Sequence, residues 1–190
     1  MKYYKILLDD HSCIRSNMNW TKYLPVDGKP GKWTRKIFGK LKSCKRCYHL
    51  TDADHLLDWC CGNQLFEAEV DGEILQGDDN VCCRKVRLLR QVAGWNDRTL
   101  SLFAAWCERE TLKLDNYPNS RAWTAVWDAT WHIARNSAWD AARTAANTYA
   151  RISTWDSTWG STLDSAWADA RDTARAAQNK KLLEMIGEEQ

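Results

Sequence analysis

Apolar and polar positions alternate at both ends of the first ninety or so residues. Tyr3 to Leu8 sets aromatics and Ile/Leu before Asp9 and Asp10, which predicts an opening strand. Leu65 to Val70 alternates with period two. Asp71-Gly72 is then a two-residue hairpin signal, and Glu73-Ile74-Leu75 predicts the start of the return strand. Val81 to Val92 places Val81, Val86, Leu88, Leu89 and Val92 among Arg84, Lys85, Arg87 and Arg90; a strand is predicted, with a helix as the alternative. Between these, Asp9 to Gly31 predicts irregular chain with turns at Asp27-Gly28 and Lys29-Pro30-Gly31. Leu50 to Trp59 predicts a short helix capped by Thr51 or Asp52, with Leu56, Leu57 and Trp59 buried. Asp97 to Leu114 carries Leu100, Phe103, Ala104, Cys107 and Leu114 at helical spacing.

From Ala122 the period becomes four, with a small residue in the first slot and Trp or Arg in most of the second: AWTA VWDA TWHI ARNS AWDA ARTA. Ala disfavours strands, so a helix is expected rather than a solenoid of short strands. At about 100° per residue, a stripe on every fourth position drifts by about 40° per step, and one straight helix cannot hold every Trp on one face. The weak-helix patch between Ser153 and Thr162 predicts a break. The expectation is an antiparallel hairpin of helices, about Ser120–Ile152 and Ser161–Ile186. Trp123, Trp127, Trp131 and Trp139 would face Trp155, Trp159, Leu163 and Trp167. Arg135, Arg143, Arg151, Arg171 and Arg175 share the Trp register, so the stripe serves either as a hairpin core or as a mixed Trp/Arg docking face. The fold class expected is α+β: a small, mostly antiparallel sheet domain (1–114), a linker (115–119) and a long Trp/Ala-rich helical hairpin (120–190).

Composition narrows the functions. A net charge of +2 over 190 residues argues against general, sequence-independent DNA binding as the main work of the whole chain. No apolar run is long enough to span a bilayer, and Met1 to Asp10 is too short in apolar core for a secretory leader, so a cytoplasmic location with reduced cysteines is expected. The charge is uneven, however. Lys32, Arg35, Lys36, Lys40 and Lys42 surround Trp33 and Phe38, and Lys45 and Arg46 extend the run. Basic residues interleaved with rings suit phosphates and stacked bases; the plainer reading is a solvated strand pair with inward rings.

Cys44-x-x-Cys47 is a normal zinc half-site, and one cysteine from each later pair, Cys60 and Cys82, would complete it, with His49 and His55 nearby. The alternative is no cofactor and buried thiols acting as small hydrophobes. Tyr48-His49-Leu50-Thr51-Asp52 resembles the strand motif with which ADP-ribosyltransferase-like enzymes hold their dinucleotide. That resemblance implies His49 as the dinucleotide residue and Glu67 or Glu69 as the acid. No G-x-S-x-G elbow or phosphate-cradling glycine loop is present.

The Cys44 to His49 element, Val70-Asp71-Gly72-Glu73-Ile74 and the basic run Arg84 to Arg90 together resemble a family of uncharacterised phage and prophage proteins. These carry a Cys-x-x-Gly-x-His element, a V-E-x-D-G-E-I hairpin and a basic run ending in R-L-L, often before an Ala-rich tail. The resemblance spans about Tyr3 to Glu108, and Cys47 stands where that family has Gly. It implies a phage-borne accessory protein in a bacterial host and supplies no activity. The leading expectation is a non-enzymatic protein that docks on a host protein complex, a nucleoprotein included, and blocks a defence system in the manner of an anti-CRISPR. The competing expectations are the ADP-ribosyltransferase-like enzyme and a virion assembly protein.

Overall fold

Four strands close on themselves because both edges of the first find partners far along the chain. The computed structural model describes residues 1–13, 16–43, 45–59, 62–78, 80–112 and 163–188. The chain divides into two units, Met1–Asn96 and Asp97–Gln190.

In the first unit, β1 (Tyr3–Leu7) pairs antiparallel with both β4 (Tyr48–Asp52) and β5 (Gln64–Gln76). β6 (Val81–Gln91) pairs with β4 and β5 in turn, giving a closed barrel in the order β1-β4-β6-β5. A small side hairpin, β2 (Ser12–Cys13) and β3 (Ser16–Asn19), and a 3-10 turn at Thr21–Tyr23 follow β1. Alternation sends Leu7, Leu50, Phe66, Ala68, Val81 and Cys83 inward, where Trp20 and Tyr23 pack on them. On β6 the inward set changes phase to Val86 and Leu88, opposite a bulge in β5. Lys5 also points into the interior and is only 5 % exposed. Its ammonium donates to the His49 carbonyl at 2.9 Å, approaches Cys13 Sγ at 3.2 Å and sits 5.2 Å from the centre of the Trp20 ring.

The second unit contains α1 (Asp97–Leu112) and α2 (Leu163–Met185). α1 buries Leu100, Phe103, Ala104 and Cys107, one helical face, and packs against α2. Burial pushes the Cys107 thiol up to about 12, so it packs as a neutral small hydrophobe. α2 buries Gln178, Asn179, Leu182 and Leu183. Gly187, at φ +76°, ends it: Gly187 N–H donates to the Glu184 carbonyl and Glu188 N–H to that of Leu183, the paired bonds of a Schellman cap. No helix of the described residues is long and apolar enough to cross a membrane.

Three expectations are corrected here. Among the described residues the fold is a closed four-stranded antiparallel barrel and two helices, rather than a small, mostly antiparallel sheet leading into a long Trp/Ala-rich helical hairpin. The described partner of α2 is α1, and the described buried positions of α2 lie beyond the Trp/Ala tetrads, toward its C-terminal end. The expected first hairpin helix, with Trp123, Trp127, Trp131, Arg135, Trp139, Arg143 and Arg151, lies outside the described residues, as do Trp155 and Trp159; Trp167 and Arg171 fall within α2.

Asp71-Gly72 is not the hairpin turn. β5 runs through it to Gln76, and the chain reverses at residues 77–80, where Gly77 N–H donates to the Asn80 carbonyl. Gly72 uses its φ of +90° for the bulge: Asp71 pairs with Lys85 and Ile74 with Cys83, so two β5 residues stand against Arg84.

The segment Leu50–Trp59 is not one helix. Its first part is the end of β4, fixed by pairing to β1 and β6, and only Leu56–Trp59 forms a 3-10 turn. Asp52 accepts from His55 N–H at 3.1 Å, just ahead of that turn.

Candidate functional site

Two features of the barrel unit carry chemistry. The first is a basic arm that starts at Gly31 and whose residues 31–37 lie along the edge of β6 that β4 leaves free beyond Cys83. Gly31 N–H donates to the Leu88 carbonyl (2.7 Å), Thr34 N–H to Val86 (2.9 Å) and Ile37 N–H to Arg84 (2.9 Å). Donors three residues apart meet acceptors two apart, so the arm advances only about 2.3 Å per residue against about 3.4 Å for a strand. Thr34 is buried and its Oγ1 accepts from Val86 N–H at 3.0 Å. The Arg84 guanidinium donates to the carbonyls of Ile37 and Gly39, and Tyr48 Oη donates to that of Arg35 at 2.9 Å. Partial burial raises the Tyr48 phenol above its ordinary value, keeping it a donor.

With its backbone held inward, the arm turns Lys32, Arg35, Lys36, Lys40, Lys42, Lys45 and Arg46 to solvent. None of them has an ion-pair partner among the described residues. The cations of β6 are in the opposite state. Arg84, Lys85, Arg87 and Arg90 pair with Glu73, Asp71, Glu69 and Glu67 along β5. The hydrogen bond and charge of Lys85, with a smaller contribution from the charge of Lys36 on the arm, hold the Asp71 carboxyl below the usual carboxylate range.

Trp33, expected as a stacking ring, is half-buried with Lys85 Nζ 4.5 Å and the Arg87 guanidinium 4.9 Å from its ring centre. Phe38, by contrast, is 78 % exposed.

Gly31, the first anchor, requires glycine because a Cβ there would lie 1.9 Å from the Tyr23 carbonyl oxygen. Gly31→Ala therefore forces the backbones apart and is expected to cost about 3 kcal/mol of barrel stability. Urea denaturation of the two proteins measures this, and a loss under 1 kcal/mol contradicts the anchoring.

The second feature is a cluster at the end of the arm. Cys47 Sγ lies 3.5 Å from His49 Nε2, and the donor atoms of Cys47, His49 and Cys82 all lie within 4.8 Å of one another. Of the expected zinc set, the fold brings Cys47 and Cys82 together and adds His49; Cys44 and Cys60 lie outside the described residues. His49 joins because it is the cross-strand neighbour of Cys82 in the β4–β6 register, which no local motif announces.

Of the residues implied by the ADP-ribosyltransferase-like resemblance, His49 lies on β4 and Glu67 and Glu69 on β5. Thr51 of β4 and Glu67 of β5 both pair with Tyr4, so β1 stands between them on this side of the barrel. Glu67 and Glu69 are held by Arg90 and Arg87. His55 is engaged with Asp52, Nδ1 to Oδ1 at 2.7 Å.

No protein-family model, curated protein or solved structure matches this chain.

Proposed function

We propose that the barrel unit is a non-enzymatic binding module whose arm takes up a single-stranded nucleic acid. One observation carries the reading. Between Asp27 and Asp52 the chain has no acidic residue, and the arm's cations stand exposed on a segment whose first part, residues 31–37, is pinned to β6. Folding has neutralised the basic residues of β6 and left those of the arm for an external anion. Phosphates would lie along Lys32, Arg35, Lys36, Lys40 and Lys42, and an unstacked base would cover Phe38. Ring stacking of that kind is sequence-tolerant and requires a base free of a duplex.

The reading keeps the non-enzymatic class expected from the sequence. It also keeps a nucleoprotein as the setting in which a phage-borne protein would meet a host strand.

Fluorescence anisotropy of a labelled mixed-sequence 20-mer tests the proposal. Single strands should bind more tightly than the duplex of the same sequence. Changing Lys32, Arg35, Lys36, Lys40 and Lys42 together to Gln should abolish binding. No binding by the unaltered protein at 50 mM salt rejects the reading.

A further inference from the structure

The geometry points to a zinc site made by Cys47, His49 and Cys82 on the barrel wall, and we propose it as a binding site for one divalent ion of the zinc class. Three observations meet there. The first is distance. A tetrahedral ion with sulfur at about 2.3 Å and imidazole nitrogen at about 2.05 Å sets those two ligand atoms about 3.5 Å apart. Cys47 Sγ and His49 Nε2 stand 3.5 Å apart, with Cys82 Sγ inside the same 4.8 Å sphere.

The second is how the donors arrive. His49 and Cys82 are directly opposed in the β4–β6 ladder, and Cys47, just before β4, brings its Sγ to 3.5 Å from His49 Nε2. Leu50 and Val81, their neighbours in the ladder, are core residues, so the donors project away from the barrel interior. The three are therefore brought together by strand register. Lys5 fixes the His49 carbonyl from the other side, and Cys82 Sγ approaches Asn80 Oδ1 at 3.8 Å.

The third is chemistry. Two thiolates and one imidazole make a borderline-soft nitrogen and sulfur set, which favours zinc over calcium or magnesium. Binding releases two thiol protons, one each from Cys47 and Cys82, and two thiolates balance the charge of the ion. Three protein ligands leave a fourth position for water or another donor.

The site closes the arm's C-terminal end onto β4 and β6, where the backbone anchors at Gly31, Thr34 and Ile37 no longer reach. It does not depend on nucleic-acid binding, and its readouts are separate from that test.

Purified full-length protein equilibrated with zinc and then gel-filtered should retain one zinc per chain by atomic emission. Its melting temperature should rise by about 5–10 °C with zinc at about 100 times Kd. Cobalt in place of zinc should give the tetrahedral ligand-field bands together with a thiolate-to-cobalt charge-transfer band. Cys47→Ser and Cys82→Ser should remove that spectrum. His49→Gln should weaken binding more than about 100-fold, beyond the losses seen when only an outer-shell partner is removed. Cys13→Ser should leave it unchanged. Because Cys82 is buried and its variant risks misfolding, the half-buried Cys47 and His49 decide the matter. Failure of the unaltered folded protein to retain zinc, or a cobalt spectrum unchanged in both Cys47→Ser and His49→Gln, overturns the site.

Discussion

Raising salt from 50 to 200 mM is expected to weaken binding of a single-stranded oligonucleotide by about 100-fold. The magnitude follows from the arm. Each phosphate neutralised on a single strand contributes about −0.7 to the slope of log affinity against log salt. Lys32, Arg35, Lys36, Lys40 and Lys42 then give a slope of about −3.5, and a fourfold rise in salt lowers affinity by about two decades. A single Lys40→Gln should reduce the slope by about 0.7. Phe38→Ala should act differently: it removes a stacking platform worth about 1–3 kcal/mol per base and leaves the slope unchanged. The paired cations of β6 supply the control. Arg90, engaged with Glu67, should change the slope little when replaced by Gln. A slope near zero, or one equally sensitive to Arg90 and Lys40, contradicts the division between neutralised and available charge.

Trp20→Ala is expected to cost the barrel about 3–5 kcal/mol, a large share of the stability of an ordinary domain. Trp20 is 1 % exposed and meets Tyr23 and Tyr48 edge to face, with ring centres 6.0 and 5.9 Å away. Truncation removes both contacts and leaves the Lys5 ammonium, 5.2 Å from the ring centre, facing a void. Trp20→Phe should cost much less, since the ring persists and the lost indole N–H has no hydrogen-bond partner. Urea denaturation followed by far-ultraviolet circular dichroism distinguishes the two. Equal losses would mean that the barrel is not built around this ring.

What was legible in the sequence was whatever alternation alone decides. Tyr3 to Leu8 and Val81 to Val92 read as strands and correspond to β1 and β6. Barrel closure was not legible, because it depends on Tyr3 and Tyr4 pairing with Asp52 and Thr51 on one side and Ala68 and Glu67 on the other. Asp71-Gly72 misled for a local reason: the left-handed backbone that makes Gly a turn signal also makes it a bulge residue, and only the partner strand decides between them. Leu56, Leu57 and Trp59 suggested a helix beginning at Leu50, but pairing with two strands held Leu50 to Asp52 extended. The basic run of the arm was plain in the sequence. That its cations are unpaired, and that Phe38 rather than Trp33 is the open ring, emerges only once β5 has supplied acids to β6. The cysteine spacing pointed to Cys44, Cys47, Cys60 and Cys82; that Cys47 and Cys82 meet at His49 is a consequence of register.

The most direct test of the central claim is to photocross-link a 4-thiouridine-substituted single strand to the full chain and map the adducts by mass spectrometry. Adducts within residues 32–46, centred on Phe38 and lost on arm neutralisation, are the predicted result. Adducts confined to other parts of the chain, or unaffected by neutralising the arm, would contradict it.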